Sequence, residues 1–300
     1  MFSYNRNMSK FRSTTFVICL FFIIVALLPA RAQTADIAQG FQIHFLDVGQ
    51  ADAAIIICDG QVLMIDGGNT ADSSLVYSYL KNTLSISHIN YMVSTHPHED
   101  HVGGLSGALN ACTVGEVFSP VHEFDSEAFN DFLHYAALQG KSITIPEPGD
   151  SYPLGSAEFQ FLTPLRNNYK VTNDLSLVIR VQYKETAFLF MADAELSVEA
   201  DMVMASHSGK YILSADLIKV GHHGGEISTS FLLLQKVRPK YAVISVGNDN
   251  DYGHPSHYLT ERLETAKIKT YRTDQDGHII CYSNGTSLTF STQKEHRRSD

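Results

Sequence analysis

Strand-like segments that are apolar at nearly every position recur through the chain and alternate with helical patterns. The clearest are residues 53–58 (AAIIIC), 186–192 (TAFLFMA) and 241–247 (YAVISVG). A strand of this kind has no polar face to turn towards water, so other parts of the protein must cover both of its faces. The alternation predicts the α/β class and a four-layer αββα sandwich, in which two sheets pack together and helices cover their outer faces.

The same patterns give approximate positions for the elements. Asp59-Gly60 is a turn pair between two apolar runs and predicts a hairpin, so the first strands are expected to be antiparallel. Strands are predicted at residues 41–48, 53–58, 61–66, 89–95, 114–119, 157–163, 175–183, 186–192, 215–221 and 241–247. Helices are predicted at residues 72–82, just after Gly104, and at 126–139, 196–206, 231–237 and 256–266.

Residues 1–32 have the features of a secretory signal. Basic residues precede an apolar run over residues 16–28, and the small-residue sequence ARA ends at Ala32. That run is shorter than the roughly 20 residues needed to span a bilayer. We expect cleavage before Gln33, a secreted protein in the extracellular space or periplasm, and no membrane span in the mature chain. The alternative is an uncleaved N-terminal membrane anchor.

The rest of the chain has the composition of one globular domain, expected over residues 40–292. Its 44% hydrophobic and 18% charged residues suit a packed core, and no repeat or linker divides it. The formal net charge is −10, and loss of the basic signal makes the remainder more acidic. An acidic surface does not attract phosphate backbones over long range, which argues against tight non-specific nucleic-acid binding unless metals or a local basic patch supply the attraction.

The sequence STHPHEDHVGG places several metal-ligand side chains directly after a predicted strand. They are His96, His98, Asp100 and His101. Ligand sites of α/β proteins collect at the carboxyl ends of strands. Imidazole and carboxylate are ligands that zinc favours, and a set without thiolate leaves positions open for water. The motif predicts a metal site, against the alternative of a solvated histidine-rich loop.

Further candidate ligands follow two later apolar strands. Asp193 comes after the strand in LFMADAE, and His222 and His223 come after the strand in LIKVGHHGG. Asp193 could instead serve only as the cap of the helix that follows it. The recurrence of ligand-type residues at strand ends favours a metal-bridging carboxylate.

Successive segments of the chain resemble the metallo-β-lactamase superfamily, in particular the branch similar to the hydrolase domain of the competence protein ComEC. The segments are FLDVGQADAAII, MIDGG, STHPHEDHVGG, NDLSLVI, FLFMADAE, IKVGHHGG, PKYAVISVG, YGHPS and YRTDQDG. The resemblance implies two divalent metal ions, zinc or alternatively manganese. It assigns His96 and His98 to the first metal, and Asp100, His101 and one of His222 or His223 to the second, with Asp193 bridging them. Alanines at 51 and 192 replace glycines usual in this branch.

Other polar residues are candidates for the surroundings of the metals. Asp66 is expected to orient a ligand histidine, and a turn-forming aspartate is the alternative. His254 is expected to donate a proton to a leaving group or to contact phosphate, and a turn histidine before proline is the alternative. The residues assigned to catalysis are Asp100 and His254. The remaining pocket candidates are Asp47, Gln50, Asp52, Asn173 and Asp174.

These residues predict a secreted binuclear metal-dependent hydrolase. Its expected substrates are extracellular phosphodiesters, which makes it a phosphodiesterase or a nuclease, with nucleic acid as a candidate partner and no stable protein partner implied. One alternative is a hydrolase of wall-linked phosphodiesters, of the phosphorylcholine esterase type. The other is a non-catalytic binding protein on the same scaffold.

Overall fold

Two mixed β-sheets pack face to face in the computed structural model, which describes residues 1–2 and 40–294. The signal predicted over residues 1–32 lies outside this range, apart from its first two residues. The body of the molecule is the unit that begins at Gly40.

The first sheet has the strand order β15-β14-β1-β2-β3-β4-β5-β6. Strands β14, β15, β1, β2 and β3 pair antiparallel, and β3 to β6 pair parallel. Its strands are β1 (Phe41–Phe45), β2 (Ala53–Cys58), β3 (Gln61–Gly67), β4 (His88–Val93), β5 (Thr113–Phe118), β6 (Ile143–Thr144), β14 (Ile279–Ser283) and β15 (Leu288–Thr292).

The second sheet repeats this plan with the order β13-β12-β11-β10-β9-β8-β7. Strands β7 to β10 pair antiparallel, and β10 to β13 pair parallel. Its strands are β7 (Ser151–Leu154), β8 (Ala157–Phe161), β9 (Ile179–Tyr183), β10 (Thr186–Phe190), β11 (Leu217–Lys219), β12 (Tyr241–Ile244) and β13 (Lys269–Arg272).

Helices cover the outer faces and connect the parallel strands. They are α1 (Ser73–Ser78), continued by a π-helical turn (Tyr79–Thr83), α2 (Glu99–Val102), α3 (Leu105–Ala111), α4 (Glu127–Leu138), α5 (Leu196–His207), α6 (Phe231–Val237), α7 (His257–Thr265) and α8 (Thr273–Asp276). Short 3₁₀ turns lie at Thr70–Asp72, Thr172–Leu175 and His222–Gly224. None of the helices within residues 1–2 and 40–294 has both the length and the apolar character needed to cross a bilayer.

The apolar side chains form three layers, which explains why the inner strands are apolar at every position. In β2, Ile56 points into the layer between the sheets, where it joins Phe159 and Phe188. Its neighbours Ile55 and Ile57 point to the other face and pack under the helices with Phe129. Successive side chains of a strand alternate between faces, so both faces of β2 need apolar residues. A third layer lies between the second sheet and its helices.

The predicted α/β class and four-layer sandwich are confirmed, and the hairpin at Asp59-Gly60 joins antiparallel strands as expected. The strand predicted at residues 175–183 is shorter, because it begins only at Ile179. Before it, the Leu177 amide donates to Thr95 O and the Val178 amide to Thr163 Oγ1, which turns the chain towards the other sheet. Strands β6, β7, β13, β14 and β15 were not predicted from the sequence. Strand β6 has only two residues, and β7, β13 and β15 lack an apolar run.

Candidate metal centre

The candidate ligands follow the carboxyl ends of three strands and meet at one edge of the sandwich. The histidine-rich segment follows β4, Asp193 follows β10, and the His222-His223 pair follows β11. Because β10 and β11 are parallel neighbours, their ends open on the same side. The two sheets together therefore deliver the ligands to a single place.

Glycines allow the loops behind the site to touch through their backbones. A Cβ atom on Gly104 would lie only 1.9 Å from the carbonyl oxygen of Gly67, and one on Gly103 would lie 2.2 Å from the amide nitrogen of Thr70. The glycine pairs in DGG and HVGG are therefore needed for close packing of the loop after β3 against α2 and α3.

One group of ligand atoms contains Asp100, His101, Asp193 and His223, and these atoms all lie within 4.8 Å of one another. Asp193 Oδ1 is 3.2 Å from His101 Nε2 and 3.8 Å from His223 Nε2. Asp100 Oδ2 is 3.2 Å from His223 Nε2. This group can hold one divalent ion with two imidazoles and two carboxylates.

A second group surrounds the other oxygen of Asp193. Its Oδ2 atom lies 3.8 Å from Nε2 of His96 and 3.8 Å from Nε2 of His222. Nδ1 of His98 lies 3.1 Å from Nε2 of His96. Two imidazoles thus lie near this carboxylate oxygen and His98 lies beside one of them, so these residues could hold a second ion. The sequence left open which of His222 and His223 approaches the metals, and the structure brings both to Asp193, one near each carboxylate oxygen.

Hydrogen bonds behind the histidines fix which ring nitrogen faces the site. Nδ1 of His101 donates to Asp66 Oδ2 at 2.8 Å, and Asp66 also accepts from the amide and hydroxyl of Thr95. Nδ1 of His223 lies 3.1 Å from the carbonyl oxygen of Ser245, which can only accept. Both rings therefore carry a proton on Nδ1, so Nε2 is the nitrogen that faces the site and that a metal would bind after losing its own proton.

The shifted pKa values of the buried carboxylates and histidines indicate that the site favours positive charge. Asp193 is fully buried, and His101 and His223 hold its pKa well below the usual value despite the burial. Burial alone would lower the histidine pKa values, but Asp193 and neighbouring carboxylates raise that of His101 well above its usual range and that of His223 to about 9. Without a cation, the carboxylates thus hold protons on the histidines.

Buried polar atoms without a hydrogen bond also indicate a cation site. His101 Nε2 and Asp193 Oδ1 have no hydrogen-bond partner within the described part of the chain. Buried polar atoms are normally satisfied, and buried charges are paired or coordinate metals. The residues therefore fit a pair of divalent cations, and the buried histidine and aspartate clusters are consistent with a binuclear metal site.

An open pocket of about 380 Å³ leads to this centre. It is lined by Gln50, His98, Glu99, Asp100, Asn173, Asp193, His222, His223, Tyr252 and His254. Burial and the nearby His222 and His223 lower the pKa of His254 to about 4, so this ring is neutral at pH 7. Its Nδ1 atom lies 3.3 Å from Nε2 of Gln50.

Two residues predicted for the pocket point elsewhere. Asp47 lies 3.5 Å from Lys294 Nζ, and its amide donates to His278, because the C-terminal strands pack beside β1. Asp174 accepts a hydrogen bond from Ser197 Oγ at 2.6 Å, so it joins the 3₁₀ turn to α5. Neither lines the pocket, and both predictions were wrong in this respect.

The other predicted residues lie in or directly behind the pocket. Asn173 lines it and donates to Glu195 at 2.9 Å. Asp52 is buried behind His223, with its Oδ1 atom 3.4 Å from Nδ1 of that ring. Glu195, rather than Asp193, is the N-cap residue of α5, so the alternative reading of Asp193 as a helix cap was wrong.

Lys219 is a contributor that the sequence did not single out. It is 3% exposed at the end of β11 and forms an ion pair with Asp52. Burial alone would raise the pKa of Asp52, but Lys219 and His223 lower it to about 2. A lysine inside an otherwise apolar strand was the available signal, because such a residue needs a buried partner.

Ala192 is one of the two alanines, with Ala51, that replace a glycine usual in the ComEC-like branch. Its φ is 48°, in the left-handed region that glycine adopts without strain. Its carbonyl oxygen accepts from the amide of His222 at 2.9 Å, so the strained residue still connects the loops that carry Asp193 and His222.

A family model described as the metallo-beta-lactamase superfamily matches residues 46–248, which is more than half of the chain. The match runs from the end of β1 past β12 and includes all the candidate ligands. The resemblance drawn from the sequence segments is therefore confirmed at the level of the family.

Two similar proteins are much longer than this chain. ComE operon protein 3 of Bacillus subtilis is 24% identical over 98% of this chain, and Recombination protein 2 of Haemophilus influenzae is 28% identical over 92%. The chain spans only 39% and 32% of the length of these relatives.

A solved structure shows the same fold. Igni18, a metallo hydrolase from Ignicoccus hospitalis, aligns with a TM-score of 0.51 at 16% identity, covering 84% of this chain and 100% of that one. At such low identity the likeness concerns the fold alone. The chain belongs to the metallo-β-lactamase superfamily, and its buried histidine and aspartate site is that of a metal-dependent hydrolase of this family.

Proposed function

We propose that this chain is a secreted phosphodiesterase that acts with two divalent metal ions, zinc or manganese. The observation that carries the proposal is Asp193, whose two carboxylate oxygens face different sets of histidines. The family resemblance implies that such a bridging carboxylate is typical of phosphodiester and thioester hydrolases, whereas the zinc β-lactamases generally lack one. This favours phosphodiester cleavage over β-lactam cleavage.

Two divalent ions bound here would supply Lewis acidity, which activates water near neutral pH and polarises the phosphoryl group. The chain's own residues prepare the site. Asp66 and the Ser245 carbonyl orient His101 and His223, and Asp193 lies between the two groups of histidines. His254 offers a neutral ring at the pocket wall, within reach of a bound substrate.

The pocket favours a small phosphodiester or the end of a longer chain. Its lining, taken over the described residues, contains neither lysine nor arginine. Proteins that follow a polynucleotide backbone use a positively charged groove, and the whole chain is acidic. One relative is named for recombination, which favours nucleic acid as the source of the diester. We therefore propose terminal phosphodiesters of nucleic acid as the first substrate class.

The test is hydrolysis by the purified protein of bis-(p-nitrophenyl) phosphate, short linear oligonucleotides, circular single-stranded DNA and p-nitrophenyl phosphorylcholine. We expect turnover of the first two, little cleavage of the circle, loss of activity with EDTA and recovery with zinc or manganese. Preference for the phosphorylcholine ester would favour the wall-linked alternative. Full activity in protein shown to be free of metal, or turnover of a β-lactam alone, would contradict the proposal.

Export is part of the same proposal and rests on residues 1–32. Protein recovered from the medium or periplasm should begin near Gln33, which N-terminal sequencing would show. An intact N-terminus on protein confined to the cytoplasm would contradict export without affecting the proposed chemistry.

A further inference from the structure

We infer that Gln50 is a positioning residue that holds His254 with its ring proton on Nε2, so that this ring offers a hydrogen-bond donor to the substrate. The role in the reaction rests on the proposed phosphodiesterase function. The position of the ring proton follows from the contacts alone.

A backbone contact fixes the orientation of the Gln50 side-chain amide. The amide N–H of Gly247 lies 3.1 Å from Oε1 of Gln50, and a backbone N–H can only donate. The atom at that position must therefore be the amide oxygen. The amide nitrogen of Gln50 is then the atom that faces Nδ1 of His254 at 3.3 Å.

The orientation of Gln50 determines the tautomer of His254. An amide nitrogen donates and does not accept, so Nδ1 of His254 must accept and cannot carry a proton. A neutral imidazole has one protonated nitrogen, so the proton is on Nε2. In His101 and His223 it is instead Nδ1 that carries a proton, because its partner is an acceptor in each case. The Nδ1 atom of His254 thus accepts a hydrogen bond where those of His101 and His223 donate one.

The loop that carries His254 is tied in place against Gln50. Asn250 accepts from the His254 amide at 3.0 Å and donates to the Gly247 carbonyl at 3.0 Å. A Cβ atom on Gly247 would lie 2.6 Å from the backbone nitrogen of Gln50, so the close contact between the two loops requires glycine there. These contacts keep the Gln50 amide and the His254 ring together.

Nε2 of His254 has no hydrogen-bond partner in residues 40–294, and the residue lines the pocket. The exposed ring of Tyr252 stacks on one side of it, with ring centroids 5.7 Å apart and an interplanar angle of 28°. The ring centroid of His222 lies 5.5 Å from that of His254. The N–H is thus available to an oxygen of a bound phosphodiester, beside the metal ligands. Loss of such a preorganised donor typically costs about 100- to 1,000-fold in kcat.

Gln50→Glu is the sharpest test because it keeps the shape of the side chain and reverses the direction of its hydrogen bond with Nδ1 of His254. A carboxylate still accepts from Gly247, but its second oxygen can only accept from Nδ1 of His254, which draws a proton to that nitrogen. Gln50→Met removes the contact without reversing it. Gln61→Glu is the matched control, because it adds the same charge at the start of β3, roughly 16 Å along the strand from Asp66.

The first readout is the ring ¹⁵N spectrum of His254 in the zinc-loaded protein, assigned with His254→Ala. We expect the wild type and Gln61→Glu to show protonated Nε2 and bare Nδ1, and Gln50→Glu to show protonated Nδ1. A wild-type spectrum with protonated Nδ1 would overturn the inference. This readout decides the tautomer even if the protein hydrolyses no phosphodiester, so it separates this failure from failure of the proposed function.

The second readout is turnover of methyl p-nitrophenyl phosphate at equal metal content. Gln50→Glu should lower kcat at least ~10-fold and change KM less, and Gln50→Met should fall between it and the wild type. A role in loop packing alone would make the methionine variant at least as poor as the glutamate variant. A kcat for Gln50→Met that is equal to or below that of Gln50→Glu would overturn the proposed role, and so would an unchanged kcat in Gln50→Glu.

Discussion

Asp193 Oδ1 lies 3.2 Å from Nε2 of His101, and neither atom has a hydrogen-bond partner among the residues that the structure describes. Both residues are buried, and the other nitrogen of His101 is already held by Asp66. Burial alone would lower the pKa of His101, but Asp193 and Asp66 raise it well above its usual range, so in the metal-free protein a proton lies between these two atoms. The pair is therefore prepared for a cation, and the surrounding contacts can be tested one at a time.

Asp66→Asn should weaken metal binding although Asp66 itself faces away from the pocket. Asp66 accepts from the Thr95 amide through Oδ1 and from the Thr95 hydroxyl and the His101 ring through Oδ2. Asparagine offers only one acceptor oxygen, so one of the contacts that hold the His101 ring in place is lost. We expect metal affinity to fall ~10- to 100-fold, as for other changes behind metal ligands. Competition with a fluorescent chelator measures this. Asp59→Asn, in the hairpin turn, is the control and should match the wild type; equal affinity in both variants would refute the role of Asp66.

Lys219→Met should destabilise the protein strongly, because it leaves the buried Asp52 carboxylate without its lysine partner. Removal of one member of a buried ion pair costs roughly 3–5 kcal/mol. Lys240→Met is the matched comparison: Lys240 Nζ lies 3.0 Å from Asp216 on the surface, with the lysine side chain 72% exposed. Such a pair contributes at most about 1 kcal/mol. Urea unfolding of the metal-free proteins should show this difference, and similar losses in the two variants would contradict it.

Stability of the metal-free protein should fall in mild acid partly because of His44. Burial, followed by the effect of His278, lowers the pKa of His44 to about 4. Below pH 6.5 the unfolded chain therefore binds a proton that the folded chain does not, so the free energy of unfolding decreases as the pH falls from 6.5 to about 4 and then levels off. At pH 4.5 the loss is ~2–3 kcal/mol.

The measurement is urea unfolding in EDTA at pH 7 and pH 4.5. His44→Gln should show a smaller drop between these pH values than the wild type, whereas His122→Gln, at an exposed position, should show the same drop. An identical pH dependence in all three proteins would show that His44 does not contribute.

Strand patterning and ligand chemistry predicted much of this site because both are local in sequence. The histidines of STHPHEDH, Asp193 and the His222-His223 pair each follow an apolar strand directly, so their convergence could be expected. Asp47 has the same kind of position, but its partner Lys294 lies at the other end of the chain, and no local pattern reveals that contact.

The direction of these hydrogen bonds also could not be predicted from the sequence. The assignment of both His222 and His223 to the centre depends on how the two carboxylate oxygens of Asp193 are oriented. The tautomer of His254 depends on the amide of Gly247, which is distant in sequence from Gln50. Such contacts are set by the packing of loops from two sheets.

Asp193→Asn tests whether Asp193 serves two metal ions at once. The neutral amide keeps the size of the side chain but loses the negative charge that two cations would share. We expect metal affinity or turnover to fall at least ~10- to 100-fold. Asp216→Asn, in the exposed ion pair with Lys240, is the control and should retain both.

The most direct measurement is the number of metal ions bound per chain, determined by elemental analysis after dialysis against limiting zinc. A carboxylate shared by two ions predicts about two zinc ions for the wild type and for Asp216→Asn, and fewer than two for Asp193→Asn, with activity lost in parallel. An Asp193→Asn protein that retains both ions and near-normal turnover would contradict it.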